Sequence, residues 1–222
     1  MSQNIQTEQL TQAGQQIEHD SFAIVDREAG SHAYADGEWQ VVRRMIHATA
    51  DFEFNGLTEF SSGAVEAGIQ AILHGAPIVA DVEMICVGLS KPRLAHFGIA
   101  SHQFIADDDV IAAAKRVNST RAVQAMRKAH ALGLLHGGIV AVGNAPTALL
   151  EVLRLIEEQG VKPALIVGMP VGFVSAAESK DALAQLTDLP WIITRGRKGG
   201  STLVVAAIHA LLSLAESRQK HA

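Results

Sequence analysis

The sequence predicts an α/β fold in which helices cover both faces of a doubly wound, parallel sheet of about five strands. Five short, unbroken apolar runs recur along the chain, as expected of strands that are buried on both faces. Helical patterns separate these runs, and this alternation is typical of right-handed βαβ units. The 222 residues, 48% of them hydrophobic and 5% aromatic, are enough for one domain with a sizeable core.

The N-terminal part of the chain contains little pattern. Because glutamine and threonine are frequent there, we expect a loosely ordered segment over residues 1–17 and a single domain over residues 18–222. The first clear helix is EWQVVRRMIHATAD at 38–51, with apolar residues at helical spacing on its core side. Its opposite stripe consists of Arg43, Arg44, His47 and Asp51.

The remaining elements follow in order. A second helix is predicted from Ser61 or Ser62 to Gly75, where Pro77 prevents its continuation. The predicted strands are PIVADV at 77–82, LAHFGIA at 94–100, GGIVAVG at 137–143, PALIVG at 163–168 and WIIT at 191–194. Further helices are predicted at 110–117, 121–131, 147–159, 176–186 and 202–217.

The composition excludes several classes of protein. The single cysteine, Cys86, excludes a disulfide framework, and no basic segment followed by an apolar stretch opens the chain. We therefore expect a cytoplasmic protein. No apolar run approaches the roughly 18 residues that a membrane span requires. The formal net charge of −5 argues against a nucleic-acid partner.

Unusual residues follow each predicted strand, where open α/β sheets bind their ligands. They are Asp81, Ser101 with His102, GNAPT at 143–147, GMPVGF at 168–173 and RGRKGGS at 195–201. Glycines allow close backbone approach, and the amides at the following helix starts favour negative charge. Arg195, Arg197 and Lys198 add cationic side chains. The sequence therefore predicts one crevice for a large anionic small molecule.

Motifs for nucleotide or metal binding do not occur in these loops. RGRKGGS places two glycines between Lys198 and Ser201, whereas a P-loop has the lysine directly before the hydroxyl residue. No G-x-G-x-x-G opens a helix after a strand. No H-E-x-x-H spacing occurs, and Cys86 has no thiol partner. We therefore expect neither a nucleotide cofactor nor a metal site, although His96 and His102 could still meet in space.

His47 is the candidate acid–base residue, because an imidazole can give or take a proton near neutral pH. Arg43 and Arg44 lie four and three residues earlier on the same helical stripe, where they could hold an anionic substrate beside it. His96 and His102 are the alternative candidates.

Six motifs occur together and in a fixed order along the chain: SFAIVD at 21–26, VVRRMIHATADFEF at 41–54, ADVEM at 80–84, GNAPTAL at 143–149, VGMPVGFVSAAESK at 167–180 and RGRKGGS at 195–201. With these motifs the chain resembles the precorrin-8X methylmutase family of cobalamin biosynthesis, also called precorrin isomerases. The resemblance covers Glu18 to about Leu214.

The resemblance implies a flavodoxin-like fold, a homodimer and an isomerase that moves a methyl group from C11 to C12 of precorrin-8X to give hydrogenobyrinate. It implies neither a redox cofactor nor a methyl donor. The family's catalytic histidine falls on His47, and its substrate-contacting serine falls on Ser21. Our own inference adds further substrate-binding candidates: Arg43, Arg44, Arg121, Asn144, Gly172, Arg195, Arg197 and Lys198.

Three alternatives remain at this point. The first is the same rearrangement on cobalt-precorrin-8, giving cobyrinate. The second is a tetrapyrrole carrier that binds without turnover, and the third is a chelatase, which would require metal-dependent activity.

Overall fold

A computed structural model describes residues 11–221. The helices are α1 (Gln12–Glu28), α2 (Asp36–Thr49), α3 (Phe54–Leu57), α4 (Ala64–Leu73), α5 (Glu83–Gly88), α6 (Lys91–His96), α7 (Asp108–Arg116), α8 (Arg121–Ala131), α9 (Pro146–Gln159), α10 (Ala176–Leu183) and α11 (Ser201–His221). The strands are β1 (Thr58–Phe60), β2 (Ile78–Ala80), β3 (Ser101–His102), β4 (Ile139–Val142), β5 (Leu165–Gly168) and β6 (Trp191–Thr194).

The strands form one sheet in the order β1-β6-β5-β4-β2-β3. Every neighbouring pair is parallel except β1 and β6, which are antiparallel. Without β1, the order is that of a flavodoxin-like doubly wound sheet, in which the chain starts beside the middle and winds outward in both directions. The predicted fold class is therefore confirmed, with one additional antiparallel edge strand.

One predicted strand is wrong. The run LAHFGIA at 94–100 begins inside α6, which has Pro92 in its first turn and ends before Gly98 at a φ of 66°. Leu94, Phe97 and Ile99 of this run are buried in the core on one face of the sheet, but they belong to no strand. Only Ser101 and His102, which directly follow the run, pair with β2.

Two apolar layers cover the sheet, because neighbouring residues of a strand point to opposite faces. Ile139 and Ala141 of β4 face a core shared with α2, α4 and α11, whereas Val140 and Val142 face a core shared with α8, α9 and α10. All residues of β4, β5 and β6 are buried, on both faces of the sheet. This explains why their sequences are continuous apolar runs, without the alternation of apolar and polar residues that a half-exposed strand shows.

The most extensively packed helix is α11, which lies against α2, α4 and α5. A close approach to α4 is possible because residue 68 is glycine. A Cβ there would lie only 2.9 Å from Leu211 and 3.0 Å from Leu165. A side chain at residue 68 would therefore clash with the terminal methyl groups of Leu211 and Leu165, which would have to shift.

The N-terminal segment is only partly described. Residues 12–17 form the first turns of α1, where Thr11 caps the helix by accepting a hydrogen bond from the amide of Gly14. The rest of the segment that we expected to be loosely ordered lies outside the described residues. The single domain over residues 18–222 stays a prediction. None of the described helices has both the length and the apolarity of a membrane span.

We expect Leu211→Ala to lower the free energy of unfolding by about 2–5 kcal/mol, because it opens a cavity where α4, α11 and β5 meet. Leu211 is fully buried, whereas Leu132 is 57% exposed, so Leu132→Ala is the matched control and should have little effect. Urea unfolding of both variants measures the difference. Equal losses would contradict the proposed packing.

Candidate active site

Three glycine-rich loops lie at one edge of the sheet. Strands β2, β4, β5 and β6 are parallel, so their carboxyl ends share that edge. The loops 143–147, 168–173 and 195–201 follow β4, β5 and β6, and Asp81 follows β2. The prediction that these segments lie on the same side of one sheet is confirmed.

Two of these loops are bonded to each other through their backbones. The amide of Gly172 donates to the carbonyl of Arg197 at 3.2 Å, and the amide of Gly200 donates to the carbonyl of Met169 at 2.8 Å. A Cβ at residue 199 would overlap the carbonyl oxygen of Met169, so only glycine fits there. The loops 168–173 and 195–201 therefore form one continuous surface.

The third loop is held by the carboxylate of Asp81, which is completely buried. This carboxylate accepts the amides of Gly143, Asn144 and Ala145 at 3.0, 2.8 and 2.6 Å, at the start of α9. Burial raises the pKa of Asp81, and the three amide donors oppose that rise. The prediction that these amides receive a ligand's negative charge is wrong, because the carboxylate of Asp81 occupies that place.

Arg195 is bound within the chain. Its guanidinium lies 2.7 Å from Glu59 on β1 and 2.6 Å from Asp181 on α10, and these two hydrogen bonds raise its pKa further. The additional strand β1 therefore fixes this arginine. As a predicted substrate clamp, Arg195 would have to exchange one of these carboxylates for a substrate carboxylate.

Lys198 connects its loop to the C-terminal end of α2. Its ammonium lies 2.5 Å from Asp51 and 3.0 Å from Glu53, two residues that directly follow the helix. The hydrogen bonds to these carboxylates raise the pKa of Lys198 and lower that of Asp51. His47 precedes Asp51 by about one helical turn. The ion pair therefore connects the end of α2, near His47, to the loop 195–201.

His47 is exposed and packs against a ring of α1. Its imidazole centroid lies 4.8 Å from that of Phe22, with the planes tilted by 40°. The guanidinium of Arg43 lies 4.6 Å from the centroid of the same phenyl ring. Ser21, half-buried, is the neighbour of Phe22 on α1. Within residues 11–221 the His47 nitrogens have no hydrogen-bond partner, so they are available to a substrate.

The guanidinium groups of Arg43 and Arg44 are directed at α1. Arg43 lies 2.9 Å from Asp26, and Arg44 lies 3.4 Å from Glu18. Both arginines line a cavity of about 490 Å³ between α1, α2 and α11. The structure therefore places these two candidates about one helical turn before His47, on the side of α2 that faces α1.

The alternative histidines lie elsewhere. His96 contacts Gln219 of α11 at 3.0 Å, and His102 on edge strand β3 lines a separate cavity of about 310 Å³ with Cys86. Burial raises the pKa of Cys86, which keeps its thiol protonated.

The precorrin-8X methylmutase family model matches residues 16–214, which covers all of these elements except the start of α1 and the end of α11. The chain belongs to this family. Membership makes it an isomerase, a methylmutase of cobalamin biosynthesis.

Individual methylmutases match over nearly the whole chain. A cobalt-precorrin-8 methylmutase of Leptospira interrogans is 53% identical over 215 residues, covering 95% of this chain and 98% of the relative. A precorrin-8X methylmutase of Sinorhizobium is 39% identical over 202 residues, covering 89% and 93%. A solved precorrin-8X methylmutase of Thermus thermophilus superposes with a TM-score of 0.85 at 54% identity and covers 91% and 98%.

Two candidate arginines near the glycine-rich loops have no carboxylate partner within residues 11–221. Arg197 and Arg121 are exposed, and neither pairs with a carboxylate among residues 11–221. Arg197 lies 5.6 Å from the ring centroid of Phe173. Arg121 begins α8 next to Thr120, whose hydroxyl lies 3.1 Å from that of Thr147 in the loop after β4. Both arginines therefore border the loop edge.

The other two candidates lie within the loops themselves. Asn144 is exposed, with its backbone amide on Asp81. Gly172 has a φ of 148°, and its amide is already bonded to the neighbouring loop. Next to it, Phe173 and Val174 are 85% and 82% exposed. The edge thus combines a free amide side chain, free cations and an apolar surface.

Sequence reasoning did not single out Lys180 or Phe173. Lys180 is fully buried, and its ammonium donates to the carbonyl of Lys198 at 2.7 Å. Its spacing from Ala176 and Leu183 is that of a helical core position, and this was a signal that the lysine is buried. For Phe173 the signal was a large aromatic within a glycine-rich loop.

The buried Lys180 should give the protein a characteristic pH dependence. Burial lowers the pKa of Lys180 from 10.5 to about 8. Between these values the unfolded chain binds more protons than the folded one, so stability rises with pH. We expect the free energy of unfolding of wild type, relative to Lys180→Met, to rise by about 1–3 kcal/mol from pH 8 to 10.5. Urea unfolding across this range tests it, and a flat difference would contradict a lowered pKa.

Proposed function

We propose that this methylmutase moves a methyl group from C11 to C12 of a precorrin-8 macrocycle, with His47 as the general acid. Two relatives, at 53% and 50% identity, are named cobalt-precorrin-8 methylmutases, while a solved structure at 54% identity and relatives at 39% identity are named precorrin-8X methylmutases. These names do not separate the two substrates, so metal-free precorrin-8X and cobalt-precorrin-8 are both candidates, and turnover of the two compounds distinguishes them.

The observation that carries the proposal is the contact of Lys198 with Asp51. It brings the end of α2, and hence His47, to the edge formed by the loops 168–173 and 195–201. A substrate lying on these loops would then be within reach of an unpartnered imidazole.

The surface suits a macrocycle with a flat apolar face and carboxylates on its periphery. Phe173 and Val174 offer exposed apolar area for the ring face. Arg197 and Arg121 offer guanidinium groups for the carboxylates, and Asn144 adds an amide. Arg195 and Lys198 shape this surface through their internal ion pairs. Their carboxylate partners also explain how several cationic residues coexist at one edge of an acidic protein.

The chemistry requires few protein groups. The C11–methyl bond breaks and the C12–methyl bond forms within one molecule, so atoms are conserved without a methyl donor. A proton delivered to the ring by His47 makes it electron-deficient and assists migration, and the same imidazole recovers a proton afterwards. The loops contribute by binding and orienting the macrocycle.

We also propose a cytoplasmic homodimer. The dimer rests on the family resemblance. The compartment is suggested by the single, half-buried Cys86, since a lone thiol is suited to a reducing environment. Sedimentation equilibrium would test the dimer directly.

Visible spectroscopy tests the function. Incubation with metal-free precorrin-8X, and separately with cobalt-precorrin-8, should change the spectrum as conjugation extends in the preferred substrate. A carrier would bind either compound and leave its spectrum unchanged. A chelatase would act only when a metal ion is added to the metal-free compound. Either of these outcomes would overturn the isomerase proposal.

We expect His47→Ala to lower the rate of the methyl shift by roughly 10²- to 10⁴-fold while binding persists, because the general acid is lost. His47→Asn should be equally slow, since an amide keeps hydrogen bonding but supplies no proton. His74→Ala is the control, since His74 is an exposed histidine at the end of α4, on the opposite edge of the sheet. Single-turnover spectroscopy measures the rate, and near-normal turnover of His47→Ala would redirect attention to His102 or His96.

We expect Arg197→Ala to weaken substrate binding about 10-fold and to make the remaining binding less sensitive to salt, because a carboxylate contact is lost. Lys162→Ala removes an exposed cation from the opposite edge and should change neither quantity. Titration at two ionic strengths measures both. An unchanged affinity and salt response would show that Arg197 does not contact the substrate.

A further inference from the structure

Lys180 is a buried cation with an unusual partner. It is fully buried on α10, and no carboxylate pairs with it in the part of the chain that the structure describes. The adjacent carboxylate, Asp181, is bound to Arg195 instead. Burial of an ammonium group costs free energy, so a lysine that is kept at such a position needs a physical reason beyond packing.

The partner of Lys180 is one backbone oxygen in the loop 195–201. The carbonyl of Lys198 accepts the ammonium of Lys180 at 2.7 Å and the hydroxyl of Thr194 at 2.8 Å. Two side chains thus converge on a single carbonyl that takes no part in the sheet. Around it, Gly196 and Gly200 have φ values of 70° and 135°, a region that glycine adopts readily, and the two side-chain donors add to the backbone hydrogen bonds that hold the loop.

This backbone oxygen belongs to the residue that connects the loop to α2. The backbone carbonyl of Lys198 accepts a hydrogen bond from Lys180 of α10, while the side-chain ammonium of Lys198 extends to Asp51 and Glu53. Lys180 therefore fixes the backbone position of Lys198. The side chain of Lys198 in turn fixes the end of α2, the helix that carries His47, relative to the loops.

We infer that Lys180 is a positioning residue of the methylmutase site: through the carbonyl of Lys198 it holds the loop 195–201 in the conformation that binds substrate and aligns the end of α2. The inference rests on the proposed function for its kinetic consequence. Its structural part, the holding of the loop, is independent of any substrate.

The test uses Lys180→Met, which keeps an unbranched side chain and removes the donor. Trypsin cleaves after Arg195, Arg197 and Lys198, so the cleavage rate in this loop reports its opening directly. We expect cleavage there to become roughly 10-fold faster and the KM for the preferred substrate to rise by about 10-fold, while kcat falls less. Cleavage at other sites should stay unchanged.

Two further variants complete the design. Lys162→Met removes an exposed lysine before β5 and should leave loop cleavage and KM as in wild type. Thr194→Val removes the second donor to the same carbonyl and should act in the same direction as Lys180→Met. It decides the question if Lys180→Met fails to fold.

Each outcome is decisive. Unchanged loop cleavage in the folded variants would overturn the inference, and so would faster cleavage with an unchanged KM. If wild type itself turns over neither precorrin-8X nor cobalt-precorrin-8, the proposed function fails, while the cleavage rates still decide whether Lys180 holds the loop.

Discussion

The structure of the site depends on the buried carboxylate of Asp81. In a doubly wound sheet of this strand order, the crevice between β2 and β4 is where ligands commonly bind, beside the N-terminus of the next helix. Here Asp81 occupies that place and binds three successive amides at the start of α9. The protein's own carboxylate therefore takes the anion position that the fold provides. Substrate anions must be bound by side chains and by the neighbouring loops instead.

The same internal use of charge extends across the loop edge. Arg195 and Lys198 are bound to carboxylates of β1, α10 and the segment after α2, so they act as connections between elements. This leaves Arg197 and Arg121 as exposed cations without such partners among residues 11–221. Of the cations in and near the loops, Arg197 and Arg121 thus remain for a ligand, together with the exposed apolar side chains of Phe173 and Val174. This combination of positive and apolar groups suits a macrocycle with peripheral carboxylates better than a single phosphate.

Much of the fold could be predicted from sequence because its signals are local. Apolar runs predicted β2, β4, β5 and β6, and helical spacing predicted α2 and α8 to within a few residues. The short strand β1 could not be predicted, since its three residues are defined only by pairing with β6, more than 130 positions later. The ion pairs could not be predicted for the same reason, since partners such as Lys198 and Asp51 are 147 residues apart in the sequence. The sequence motifs therefore locate the loops, but they do not show which of the loop cations are already paired with carboxylates of the protein.

The loops are held by many internal bonds, whereas the imidazole of His47 is not, and this difference fits the proposed chemistry. Backbone bonds, Asp81, Lys180 and the ion pairs hold the loops in one arrangement, whereas the imidazole of His47 packs against the ring of Phe22 and has no hydrogen bond within residues 11–221. An intramolecular methyl shift has no second reactant to orient, so its demands are a fixed macrocycle and a proton at the right moment. A rigid surface can supply the first. An imidazole whose nitrogens are not already bonded to the protein can supply the second, because donating and recovering a proton then breaks no hydrogen bond that the fold requires.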